Sequence, residues 1–151
     1  MHTRRKTLQQ SAVVAGLLVG TGLFPQMALA FNAKAFEAKN LADALKAIGA
    51  GAPMESKDVA ITAPDIAENG AVVPIGASTN LSGVKQILIL VEKNPSALIA
   101  LFNVTDSVEP SFSTRAKMGQ SSDVYAVAIM ADGQALFAKK EVKVTLGGCG
   151  G

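Results

Sequence analysis

From Lys57 to the end of the chain, apolar and polar residues alternate with a period of two, the spacing of strands that bury one face. Val59, Ile61 and Ala63 share one side before Pro64. Asn69-Gly70 signals a turn, and Ala71 to Ala77 resumes the pattern around Pro74, which predicts an edge position or a bulge there. Val84 to Glu92 departs from strict alternation. Its run Ile87-Leu88-Ile89-Leu90-Val91 reads as a central strand. Asn94-Pro95 turns the chain into a further apolar strand, Ala97 to Val104. Phe112, Thr114, Ala116 and Met118 then alternate with Ser113, Arg115 and Lys117, so this strand has one wet face. Val124 to Met130 and Gln134 to Leu146 flank Asp132-Gly133, which predicts a hairpin with a two-residue turn. About seven short strands joined by Pro, Gly and Asn turns imply an all-β, immunoglobulin-like antiparallel β-sandwich. Ahead of it, Leu41, Leu45 and Ile48 fall at helical spacing. They predict one N-terminal helix over Ala33 to Ile48, ended by Gly49 and Gly51 and covering a sheet edge or end.

The first thirty residues follow other rules. Thr3-Arg4-Arg5-Lys6-Thr7-Leu8-Gln9 is basic, Ala12 to Phe24 is apolar apart from Thr21 and three glycines, and Ala28-Leu29-Ala30 is a small-x-small pattern. This order is that of a signal peptide over 1–30, cleaved after Ala30. The paired Arg4 and Arg5 point to the twin-arginine route, with an ordinary secretory signal as the competing reading. The apolar stretch is too short and glycine-rich for a stop-transfer helix, so no membrane span is expected in the mature chain. The expected organisation is a leader over 1–30, a sandwich over 31–146 and a tail over 147–151, in the bacterial periplasm. Cleavage would remove three of the 14 basic residues and none of the 12 acidic ones. The formal charge would then pass from +2 to −1, and nothing suggests a nucleic-acid surface.

Cleavage would also remove His2, the only histidine, and the chain has no Trp and a single Cys. A mature chain without His cannot build a Ser-His-Asp or Cys-His pair, nor a His/Cys metal or haem site. No cofactor of its own is expected, and one cysteine cannot form an internal disulfide. Carboxylates such as Asp106 with Glu109, or Asp65 with Glu68, lie in turn-like surroundings and read as solvated turn acids. The remaining chemistry is Cys149, set in Gly147-Gly148-Cys149-Gly150-Gly151 at the carboxyl end. Four glycines around one thiol make a thin, flexible arm that displays sulfur to another molecule. A frayed end and an appended coupling tag are the competing readings of this stretch. Hydrophobic residues make up 49% of the chain, more than a small sandwich readily buries, which predicts an open apolar sheet face and a permanent partner.

The leader, the small all-β domain and the terminal Gly147-Gly148-Cys149-Gly150-Gly151 together resemble the sulfur-oxidation carrier family SoxY. The pentapeptide matches the family motif without departure. The resemblance implies a covalent carrier rather than an enzyme, with thiosulfate-derived sulfur held on Cys149. It implies a heterodimer with a second immunoglobulin-fold subunit of the SoxZ kind. It further implies a haem-containing SoxAX protein that joins thiosulfate to the thiol and a manganese hydrolase, SoxB, that releases sulfate. A molybdenum sulfane dehydrogenase, where present, would oxidise what remains. An interaction module tied to a partner by an intermolecular disulfide through Cys149 is the alternative. A ubiquitin-like carrier, which is activated with cytoplasmic ATP, is opposed by the leader, and a thiol enzyme by the absence of a histidine base.

Overall fold

The computed structural model describes residues 32–145. These form two short helices, α1 (Ala33–Phe36) and α2 (Leu41–Ile48), followed by nine strands. The strands are β1 (Pro53–Glu55), β2 (Val59–Thr62), β3 (Ile66–Ala67), β4 (Val73–Thr79), β5 (Val84–Val91), β6 (Leu98–Asn103), β7 (Ser111–Ala116), β8 (Ser122–Met130) and β9 (Ala135–Val144). The larger sheet has the order β1-β9-β8-β5-β6, with β3 also on β9; the smaller is β2-β4-β7. All pairings are antiparallel except β1 and β3, which run parallel to β9 at its two ends.

The apolar run in β5 is explained by burial from both sides. Ile87, Ile89 and Val91 enter the core between the sheets, where they meet Val73, Ile75, Val124, Ala126 and Val142. Leu88 and Leu90 point the other way, into a second core with Val127, Ala44 and Leu45 beneath the helices. All five side chains are fully buried. Each contributes about 1.5–3 kcal/mol of burial, so β5 is the strand on which both cores depend.

The helices therefore cover a sheet face, not the edge or end that the sequence suggested. The expected single helix is also divided. Asn40 takes an extended conformation and its side chain accepts the Asp43 N–H at 2.9 Å, which starts α2 afresh. Gly49, at φ +74°, ends α2: the Ala50 N–H reaches the Leu45 carbonyl and the Gly49 N–H that of Lys46. The β8–β9 hairpin also differs from the two-residue turn expected. The Gly133 N–H returns to the Met130 carbonyl, the Met130 N–H to that of Gln134, and among the described residues only glycines have positive φ. The loop is thus three residues, Ala131 to Gly133, with glycine in the left-handed position.

Pro74 sits in β4, the middle strand of the smaller sheet, yet its position is locally an edge. The β2 pairing stops at Thr62–Gly76, so at Pro74 only β7 remains alongside. The wide apolar sheet face expected from composition is absent among the described residues. The helices cover the outer side of the large sheet. The small sheet presents a shallow groove of about 530 Å³, lined by residues 62–64, 74–78 and 111–113, with Ile75, Ala77 and Phe112 among serines and prolines. The large exposed hydrophobics, Met54, Ile66, Val72 and Val108, lie apart along the chain.

Candidate functional site

Strand β9 is the last element before Cys149 in the sequence, and the described chain ends one residue beyond it, at Thr145. Three consecutive amides fix that end. The Lys143 N–H donates to the Asp65 carbonyl at 2.9 Å and the Thr145 N–H to the Ala67 carbonyl at 3.1 Å. Between them the Val144 N–H, pointing to the opposite edge, donates to Ser121 Oγ at 2.9 Å. The strand end is thus held from both sides, by β3 on one and by a side chain just ahead of β8 on the other.

Packing reinforces the hold. Val144 lies against the inter-sheet core. A Cβ on Gly70 would sit 2.8 Å from Val144 Cγ1 and 2.3 Å from the Met118 carbonyl oxygen, so only glycine fits. The Met118 N–H donates to the Gly70 carbonyl at 2.7 Å, tying the turn before β4 to the end of β7. Neighbouring loops join the same network: the Lys93 N–H donates to Ser122 Oγ at 3.0 Å and Asn94 Nδ2 to the Lys117 carbonyl at 2.8 Å.

Asp65, read from sequence as a solvated turn acid, has a partner. Its carboxylate is 2.9 Å from Lys140 Nζ, which also donates to the Ala63 carbonyl at 2.6 Å. The hydrogen bond from Lys140, and then its charge, hold the Asp65 carboxyl below its ordinary 3.8. Its side chain remains 88% exposed, so the pair orients the β2–β3 connection and adds little stability. Glu68, Asp106 and Glu109 are exposed, and no ion pair to any of them is formed among the described residues. No group of three residues that could hold a metal occurs among the described residues.

Of the residues singled out by sequence, Arg4, Arg5, the cleavage point after Ala30, Gly147, Gly148, Cys149, Gly150 and Gly151 lie outside the described residues. Sequence reasoning did not find the tie itself. Strand β3 has two residues, too few for a periodic signal, and neither Ser121 nor Gly70 carries a motif beyond the turn-forming Asn69-Gly70 pair.

The chain has relatives of known structure. The sulfur carrier protein SoxY from Chlorobium limicola f. thiosulfatophilum superposes with a TM-score of 0.64 at 36% identity, over 71% of this chain and 97% of that one. A superoxide reductase (neelaredoxin) from Ignicoccus hospitalis shares the fold alone. Its TM-score is 0.52 at 18% identity, over 58% of this chain and 80% of that one. No curated protein sequence matches the chain. The family described as sulfur oxidation protein SoxY matches residues 44–149, a span that begins in α2, takes in every strand and ends on the cysteine. With that match and a carrier structure at this identity, the chain belongs to the SoxY family.

Proposed function

We propose that this protein is a periplasmic carrier that holds thiosulfate-derived sulfur covalently on Cys149 and presents it to the enzymes of a sulfur-oxidation pathway. The reading is carried by one conjunction. A strand whose last residues are tied to the sandwich on both edges is followed within five positions by the sole cysteine, between pairs of glycines. A fixed base and a slender, glycine-lined approach suit delivery of sulfur to a recessed site.

The chemistry asks little of the carrier itself. In the first step the Cys149 thiol and the outer sulfur of thiosulfate form an S–S bond. The thiol proton and two electrons leave, the electrons passing to a haem protein of the SoxAX kind. In the second, water attacks the terminal sulfone and a manganese hydrolase of the SoxB kind releases sulfate. The bond to the outer sulfur breaks, and a persulfide remains on Cys149. A sulfane dehydrogenase, where one is present, would oxidise that sulfur further, again as electron acceptor. The carrier retains a small anion between enzymes through a covalent bond and supplies reach. A second immunoglobulin-fold subunit of the SoxZ kind is the proposed permanent partner. The uncharged groove over β2, β4 and β7 is a surface open to it.

Replacing Cys149 by Ser tests the reading. The variant is expected to fold and to bind its partner as before, and to abolish thiosulfate-dependent respiration. Respiration at the unaltered rate would refute it. A non-reducing gel separates the alternative: one stable cross-linked species would indicate an intersubunit disulfide tie.

A further inference from the structure

The turn between β3 and β4 holds the only Asn-Gly pair of the chain, Asn69-Gly70. An asparagine amide followed by glycine is open to attack by the next backbone nitrogen, because no Cβ stands in the way. In a folded protein the attack also depends on what each atom is already bonded to. The Ala71 N–H donates to Asn69 Oδ1 at 3.0 Å, and the Val72 N–H closes the turn on the Asn69 carbonyl at 3.3 Å. The Gly70 N–H and Asn69 Nδ2 make no hydrogen bond among the described residues, and Asn69 is exposed to water. The other five asparagines are withheld. Asn94 precedes Pro95, which has no N–H. After Asn103 the Val104 N–H is taken by the Lys85 carbonyl, and after Asn80 the Leu81 N–H by Thr79 Oγ1. Asn32 and Asn40 engage their Nδ2 groups, with the Ala47 carbonyl and with Asp43.

We propose that Asn69 is a site of self-modification, at which the folded protein loses ammonia and ages to aspartate and isoaspartate. The Gly70 nitrogen attacks Asn69 Cγ and gives its proton to water. Negative charge gathers on Oδ1, where the Ala71 N–H already donates, the role a preorganised amide plays in an oxyanion hole. Nδ2 takes up a proton and leaves as ammonia, closing a succinimide. Water then opens the ring at either carbonyl, with no oxidation or reduction at any step. The isoaspartyl product lengthens the main chain by one carbon immediately ahead of Gly70. That glycine has no room to shift: an added Cβ would already meet the Met118 carbonyl oxygen at 2.3 Å and Val144 Cγ1 at 2.8 Å. The longer turn therefore disturbs the bond from the Met118 N–H to the Gly70 carbonyl, 2.7 Å long, and the packing of Val144. Both products also place a new negative charge beside Glu68.

The test is to hold the full chain in mildly alkaline buffer, once folded and once unfolded in urea, and to map its peptides over time by mass. In the folded chain the Asn69 peptide is expected to convert to aspartyl and isoaspartyl forms about three- to tenfold faster than in urea, the factor that one hydrogen bond of ordinary net strength is worth. Peptides holding the other asparagines should lag behind it by about tenfold or more in the folded chain. Asn69→Ser, which keeps an oxygen for the Ala71 N–H, should give no such product at the turn and melt close to the parent. The isoaspartyl form, separated by chromatography, should exchange its Met118 amide faster than the parent and melt about 3–5 °C lower. An Asn69 that reacts no faster folded than in urea, or no faster than the other asparagines, would overturn the proposal. An isoaspartyl form with the parent's Tm and Met118 protection would overturn its link to the packing of Gly70.

Discussion

The substitution Gly70→Ala adds one methyl group at the place where the strand end meets the sandwich. The new Cβ would lie 2.3 Å from the Met118 carbonyl oxygen and 2.8 Å from Val144 Cγ1, where ordinary contacts are 3.4–4 Å. Backbone on one side must therefore move by about 1 Å, in a densely packed region that does not deform freely. Met118 is fully buried and its N–H donates to the Gly70 carbonyl at 2.7 Å, so the movement strains a hydrogen bond as well as a contact. Overpacking of this kind costs about 1–3 kcal/mol, and the strained bond places this site in the upper part of that range. For a domain of this size each kcal/mol lowers Tm by about 3–5 °C, so a fall of about 6–15 °C is expected. Thermal unfolding followed by circular dichroism is a sufficient assay. Gly119→Ala is the matched control: it lies in the loop after Met118, has no atom within 4 Å of its would-be Cβ, and needs no left-handed backbone. It should be neutral or slightly stabilising. A Gly70→Ala protein that melts within about 1 °C of the parent would refute the packing described for the strand end.

Other substitutions separate the parts of the fold. Leu88→Ala, beneath the helices, should cost about 2–5 kcal/mol in urea unfolding; a loss below about 1 kcal/mol would mean that the helices do not seal that face. Asn40→Ala removes the side-chain acceptor at the start of α2 and should cost about 1 kcal/mol in the same assay, with Asn40→Ser, which keeps an acceptor oxygen, closer to neutral. Asp65 titrates below its ordinary 3.8 because of Lys140, so its contribution is present above that value and fades as pH falls through the lowered one. An NMR titration of Lys140→Met should show the Asp65 carboxyl moving back up toward 3.8, and an unmoved titration would contradict the pairing.

The parts of this structure that could be read from sequence are those with a strong local period. The wet and dry faces of Ser111 to Met118, the long β8–β9 hairpin and the central position of β5 follow from side chains alternating across a pleat. What was missed has the opposite character. The uninterrupted run Ile87 to Val91 signalled a buried strand but did not say what lay on its second face. Two helices do, a fact about tertiary placement to which the sequence of β5 is indifferent. The break between α1 and α2 turned on one side chain, Asn40, competing for its own helix amides. The tie at the end of β9 depends on a two-residue strand, a serine hydroxyl and a glycine that nothing else can replace. None of these leaves a period. The candidate site is marked in the sequence in a different way: Cys149 and its glycines stand out by composition, and they lie outside the described residues.

The central claim is that the one cysteine carries sulfur for other proteins. It is tested most directly by isolating the protein from thiosulfate-respiring cells and measuring its intact mass, followed by peptide mapping of the carboxyl terminus. The account predicts a mixture of species whose added mass corresponds to sulfane and sulfonate groups, all on Cys149, released by a thiol reductant. A single unmodified mass from such cells, or added sulfur at any other residue, would contradict it.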